Sequence, residues 1–184
     1  AITSDGQRLV SFLNSNADTA STIKSWAIDS GIEAWTSAVI PYHLENILFS
    51  SDDSRILSIP ATRSNFSQPM SLWDAATGEQ LWSTPPGVFN ATGFNASGTR
   101  VFAQDISASR SNTIKIYESA SGREMFNVPT PMSTLKDSSF FFFTMIAMSN
   151  SGNRLAAGQR SINAKPANTW TLSRNGALSP NTLS

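Results

Sequence analysis

Ser51-Asp52-Asp53-Ser54-Arg55-Ile56-Leu57-Ser58 reads as a tight turn, one polar residue, an arginine and an apolar run. The same order returns three more times, in residues 4–11 (SDGQRLVS), 96–103 (ASGTRVFA) and 150–157 (NSGNRLAA). A second marker follows each opening: an alternating segment, then a Gly-containing turn. It reads TIKSWAIDSG in residues 22–31, MSLWDAATG in 70–78, TIKIYESASG in 113–122 and TWTLSRNG in 169–176. In the last copy, counted back from its glycine, the aromatic Trp170 falls one place out of register. The arginines Arg8, Arg55, Arg100 and Arg154 step by 47, 45 and 54 residues, and Gly31, Gly78, Gly122 and Gly176 step by 47, 44 and 54. Two independent markers that drift together define real repeats, and a period of this size sets the whole fold.

Each copy has the parts of a small antiparallel sheet. Gly6, Asp53, Gly98 and Gly152 stand where a short hairpin needs positive φ, a conformation that Gly adopts freely and Asp tolerates. The apolar runs after each arginine are rich in β-formers and end in turn residues. Thr113-Ile114-Lys115-Ile116-Tyr117 alternates as a half-buried strand does. Beyond the second turn come Glu33-Ala34-Trp35, Glu79-Gln80-Leu81-Trp82 and Glu124-Met125-Phe126, outer strands closed by an aromatic. Residues 46–49 and 143–147 read as inner strands. No stretch combines a sustained 3.6-residue period with helix caps. Four-stranded units of this kind bury their faces by stacking around an axis. The expected fold is therefore all-β, a β-propeller of four-stranded antiparallel blades. It spans residues 1–184 as one domain with repeats at about 1–40, 41–86, 87–131 and 132–184. Closed propellers hold 4–8 blades. The four repeats are expected to be part of a larger propeller, to close by themselves as a four-bladed one, or to pair with a second copy into eight blades; exposed edges and apolar faces at open ends favour association.

Composition narrows the function. Of the 184 residues, 40% are hydrophobic and only 14% charged, against roughly 25% charged in an average soluble domain; Ser, Thr and Asn take up the difference. The formal net charge is zero, and Lys24, Lys115, Lys136 and Lys165 are scattered singly. Nucleic-acid and anionic-lipid binding lack their basic footprint. With no cysteine, disulfides, thiol nucleophiles and thiolate metal sites are excluded. The run FFFFTMIAM at residues 140–148 is about half the length that a membrane helix needs and reads as a strand buried on both faces. Sequons at Asn65, Asn90 and Asn95 occur at chance frequency in so Ser/Thr-rich a chain. The first residues form no signal peptide and lack an initiator Met, as expected of an excised piece of a longer chain. No compartment is fixed, with the cytoplasm slightly favoured.

Residues 49–58 (FSSDDSRILS) followed by 72–78 (LWDAATG) resemble a WD-repeat unit, and the resemblance extends in four copies over nearly the whole chain. It implies a propeller scaffold with a protein partner. Tyr42-His43 stands where that family often has Gly-His, but His43 is close to Phe49, and Gln68-Pro69-Met70 replaces the Asp of the family's buried network. Ser58 and Trp73 would be the remnants of that network. Residues 74–82 (DAATGEQLW) are also similar to the blade motif of quinoprotein-type propellers.

No catalytic constellation is present. One histidine, His43, leaves no His-rich metal site and little room for a Ser–His–acid triad. Asp52-Asp53 reads as a turn former rather than a cation site. The four repeat arginines read as stems laid on apolar blade surface with their charge in water. Trp26, Trp35, Trp73, Trp82 and Tyr117 read as inter-blade core rather than sugar-stacking platforms. The function expected is a non-catalytic WD-repeat-like scaffold that mediates protein–protein interaction, with no cofactor, no metal and no nameable catalytic or binding residue. The alternatives are a fragment of a quinoprotein- or lactonase-type propeller enzyme, and a sugar-binding propeller. The long loops at residues 13–21 and 62–69 are the candidate binding elements, since loops on a rigid scaffold carry specificity.

Overall fold

The computed structural model describes residues 1–15, 20–61, 67–108, 111–129, 143–152, 154–159, 168–172 and 178–181. All regular structure among them is β, in four antiparallel sheets of consecutive strands. Sheet 1 holds β1 (Arg8–Asn14), β2 (Ser21–Ala27) and β3 (Glu33–Thr36), and the bridge Ile2–Leu9 adds a vestige of an inner strand. Sheet 2 holds β4 (Leu44–Phe49), β5 (Arg55–Pro60), β6 (Ser71–Asp74) and β7 (Gln80–Ser83). Sheet 3 holds β8 (Phe89–Phe94), β9 (Arg100–Ala108), β10 (Ser111–Glu118) and β11 (Glu124–Pro129). Sheet 4 holds β12 (Phe143–Met148), β13 (Arg154–Gln159), β14 (Asn168–Leu172) and β15 (Leu178–Asn181). The chain divides into two compact units, Ala1–Gly87 with sheets 1 and 2 and Val88–Ser184 with sheets 3 and 4.

One turn device recurs four times. Gly6, Asp53, Gly98 and Gly152 have φ of 72°, 56°, 68° and 66°, the left-handed conformation expected of them. Each donates its N–H to the carbonyl three residues back, on Thr3, Ser50, Asn95 and Ser149, at 2.8–3.0 Å. The side chains of those same four residues accept the N–H of the repeat arginine, at 3.0 Å in Arg8, 3.0 Å in Arg55, 2.8 Å in Arg100 and 3.0 Å in Arg154. A short polar side chain can satisfy a nearby backbone donor in this way and fix the turn.

Because side chains alternate across a strand, each sheet has two faces. A forward face carries Val10, Leu57, Phe102 and Ala156, and a rear face carries Leu9, Ile56, Val101 and Leu155. The forward face of sheet 1 packs on the rear face of sheet 2 through Val10, Ile23, Ile56, Trp73 and Ala75, with Phe12 and Trp35 at the margin. In the second unit Phe102, Ile114 and Ile116 meet Met148 and Leu155 in the same way.

Two expectations are corrected. Trp170 pairs with Leu155 as Trp26 pairs with Leu9, Trp73 with Ile56 and Tyr117 with Val101. It is therefore in register, and counting from the glycine misplaced it because the stretch from strand to glycine is one residue longer in the fourth copy. Within the run at residues 140–148 the described strand is Phe143–Met148, and residues 140–142 lie outside the described residues. Met148 is buried and Ile146 half-buried, but Ala147 is exposed. The strand is therefore not buried on its forward face at Ala147.

On the rear side of sheet 3, Lys115 Nζ lies 2.8 Å from Asp105 Oδ2. Burial pushes the Asp105 carboxyl up, but hydrogen bonds from Lys115 and Ser107 outweigh it and hold the group below its ordinary range. A depressed carboxyl stabilises the fold above its unfolded pKa, and the contribution disappears as pH falls through the lower folded value. Asp105→Asn should therefore lower the urea midpoint at about pH 7, and the gap to wild type should narrow at about pH 3. A gap independent of pH would show that the pair contributes through packing alone.

Candidate protein-interaction surface

The sequence-marked residues are mostly engaged in holding sheets together. The Arg8 guanidinium donates to the carbonyl of Ala75 in the second turn of sheet 2, and the Arg100 guanidinium to that of Gly152 in the first turn of sheet 4. These arginines do not simply leave their charge in water. Arg8 clasps sheet 1 to sheet 2 and Arg100 clasps sheet 3 to sheet 4, each a charge-assisted contact stronger than a neutral hydrogen bond. Ser4 N adds a 2.8 Å bond to Asp53 Oδ2 across the first unit, and Asn95 Nδ2 a 2.9 Å bond to Asn150 O across the second.

Asp52 caps its own turn. Its Oδ1 accepts from Ser50 Oγ at 2.6 Å and Ser54 Oγ at 2.8 Å. These bonds hold the carboxyl low, the one from Ser50 foremost. His43 Nε2 lies 3.0 Å from the carbonyl of Ser15, which makes that nitrogen the donor and ties the ring to the chain after β1. Among the described residues no three His, Asp or Glu side chains group as metal ligands would.

Trp73, 3% exposed, donates its indole N–H to Ser58 Oγ at 2.9 Å. Trp26 makes the equivalent bond to Ser11 Oγ at 3.1 Å in sheet 1. Trp73 and Tyr117 are core residues, as expected. The Trp26–Ser11 pair was not foreseen, although the two stand at the same offsets as Trp73 and Ser58.

The surface left over lies in the first unit. A cleft of about 750 Å³ opens between the connection that follows β3 and the outer half of sheet 2. Tyr42, Ser71 and Trp73 line its depth, Val39 and Pro41 one wall, and Glu79, Gln80 and Ser83 the other. The Tyr42 hydroxyl is 3.4 Å from Ser71 Oγ, and burial raises its pKa, so the phenol stays protonated and able to donate. Val39 is 70% exposed and Leu81 46%. β7, which contributes Gln80 and Ser83, is an edge strand of its sheet. The connection is held at its far end by Asn14, whose Nδ2 donates to Leu44 O at 2.9 Å while its Oδ1 accepts from Leu44 N at 3.1 Å. Of the loops expected to bind, residues 16–19 and 62–66 lie outside the described residues. Sequence reasoning missed the cleft because its signal, an exposed Val beside Pro41-Tyr42, means nothing until the connection is folded against sheet 2.

No family model matches the chain, and no curated protein matches it. Solved structures do. The β-propeller domain of Swd1 (Cps50) from Myceliophteria thermophila superimposes with a TM-score of 0.67 at 12% identity, over 94% of this chain and 52% of that one. Dihydro-heme d1 dehydrogenase NirN, solved in complex with DHE, gives a TM-score of 0.65 at 11% identity, over 94% of this chain and 34% of that one. The chain thus covers about half the length of the first structure and a third of the second. The fold is a β-propeller, and both expected resemblances, to WD-repeat and quinoprotein-like propellers, are found at the level of architecture. Architecture alone assigns no chemistry: one neighbour is a propeller domain with no named activity and the other a dehydrogenase.

Proposed function

We propose that the chain is a non-catalytic protein-interaction module that takes an extended peptide segment in the cleft between β3's outgoing connection and β7. The observation that carries this reading is the pairing of a sheet edge with an apolar wall. An edge strand offers a row of main-chain donors and acceptors to an added strand. Beside it, Val39 and Pro41 give alternate side chains of that strand somewhere to dry, and the Tyr42 hydroxyl and Glu79 supply polar contacts. Neutral overall charge suits a peptide better than a nucleic acid.

Selection of a random peptide library on the immobilised chain tests it. Enriched peptides should alternate apolar and polar residues, and Val39→Asp should weaken them about tenfold or more, close to 1.4 kcal/mol. Val39 is exposed, so this variant should fold as wild type does. Failure to enrich any peptide, or equal binding to Val39→Asp, would refute the proposal.

A further inference from the structure

Two hydroxyls at the floor of the cleft are poorly satisfied. Tyr42 and Ser71 are 8% and 1% exposed, and their oxygens share a single contact at 3.4 Å. That is longer than the roughly 2.5–3.0 Å usual between two oxygens. Each hydroxyl has one proton and two lone pairs, and neither oxygen has another hydrogen bond among the described residues. Only one of the two protons can serve the contact between them, and a buried donor without an acceptor is costly. Ser58, beside Ser71 on the same face of sheet 2, shows the contrast. It accepts from the Trp73 indole at 2.9 Å and donates to the carbonyl of Ser71 at 3.3 Å.

The repeat manages elsewhere without this tyrosine. Ser37 and Thr84, each just past an outer strand, accept the N–H of Ile23 at 2.9 Å and of Met70 at 3.0 Å. Three residues later come the bridges Ser21–Ile40 and Gln68–Gly87. Leu44 and Phe89 then open the next inner strands in the same register, opposite Pro60 and Asp105. From bridge to strand the first connection takes Pro41, Tyr42 and His43, and the second takes Val88 alone. Tyr42 therefore belongs to an excess of two residues in the first connection.

Building on peptide capture in this cleft, we infer that Tyr42 and Ser71 select a segment with a primary amide side chain, Asn or Gln, at its anchoring position. The Tyr42 hydroxyl donates to the amide oxygen, and Ser71 Oγ accepts from the amide nitrogen. Ser71 turns its own proton to the Tyr42 oxygen, so both hydroxyl protons are used. Other side chains fit less well. A lysine or arginine offers no acceptor for the Tyr42 proton. An aliphatic group leaves both hydroxyls as they are. A carboxylate finds no cation among the described lining residues, where the exposed Glu79 is the one charged side chain. It would lose its hydration and meet a like charge, which is how a site rejects a near isostere. The wall that carries Tyr42 is fixed before anything binds, since Ser21 Oγ donates to the Tyr42 carbonyl at 2.8 Å beside the Ser21–Ile40 bridge. Little ordering is then lost on binding.

A random peptide library selected on the full chain, followed by titration of the strongest peptide made synthetically, tests this. Enriched peptides should share an Asn or Gln at one position. Exchanging that amide for its isosteric acid should weaken binding about tenfold or more, and Tyr42→Phe should weaken the amide peptide about tenfold. The same variant should bind a version with Leu at the anchor as wild type does, a result that a merely structural role for the hydroxyl would not give. Glu79→Gln should narrow the gap between amide and acid. Tyr42→Phe keeps the ring that packs in the core, and its circular dichroism should match wild type. Enriched peptides without a shared amide, equal binding of the amide peptide to Tyr42→Phe, or equal weakening of the amide and Leu versions would each overturn the inference. In those cases peptide capture in the cleft still stands if Val39→Asp weakens binding. A library that enriches nothing overturns both.

Discussion

Trp73→Ala should lower the unfolding free energy by about 3–5 kcal/mol, and Trp26→Ala by only about 1–2 kcal/mol, although the two residues hold equivalent register positions. Trp73 is 3% exposed in the core between sheets 1 and 2. Truncation there removes most of an indole's contacts and leaves a cavity lined by Val10, Ile23 and Ile56 that the sheets can only partly close. Trp26 faces outward from sheet 1, half-buried, and loses less area with no closed cavity behind it. Each also gives up an indole hydrogen bond to its serine, so that share, about 1 kcal/mol, largely cancels in the comparison. Trp73→Phe and Trp26→Phe measure it separately. Urea unfolding followed by circular dichroism gives the free energies. Equal losses would mean that the rear face of sheet 1 is as well covered as that of sheet 2.

The repeat was legible because turns write themselves into sequence. A left-handed residue, an arginine two places on and an apolar run recur with spacings that no tertiary knowledge is needed to see. The cap at Thr3, Ser50, Asn95 and Ser149 was equally visible as a polar column, but it stands just upstream of the compared windows. The arginine clasp was not legible. Its acceptors are the carbonyls of Ala75 and Gly152, and a backbone oxygen leaves no trace in residue identity. The register of Trp170 was lost for a related reason: strand pairing is counted from the hairpin that joins the strands, whereas the glycine beyond the second turn tolerates an extra residue. Nor could the cleft be read, since it depends on where Val39 to Tyr42 cross sheet 2. Composition, by contrast, spoke clearly about chemistry. A single histidine, no cysteine and singly placed lysines are visible without any fold.

Gly78→Ala should cost about 2–4 kcal/mol, and Gly31→Ala about 1 kcal/mol, though both glycines end the second turn of their sheets with similar backbone angles. Gly78 has φ of 76° and Gly31 of 65°, so each variant carries the left-handed penalty of about 1 kcal/mol for a residue with a Cβ. The difference lies in what the new methyl group meets. At Gly31 nothing lies within 4 Å, whereas at Gly78 the Cβ would stand 2.5 Å from Trp35 Cε3 and 2.7 Å from Cδ2. Trp35 cannot simply swing away. Its indole N–H donates to Ala75 O at 3.1 Å, the same carbonyl that the Arg8 guanidinium holds, and its ring packs against the core between the sheets. Relieving the overlap therefore costs about 1–3 kcal/mol of overpacking and disturbs the clasp that joins sheet 1 to sheet 2. The double variant Gly78→Ala with Trp35→Ala separates these contributions. If the clash with Trp35 is the cause, the alanine at residue 78 should cost only its left-handed share once the ring is gone, giving a coupling of about 2 kcal/mol in the cycle. Strict additivity would show that the backbone at Gly78, not the indole above it, sets the demand for glycine.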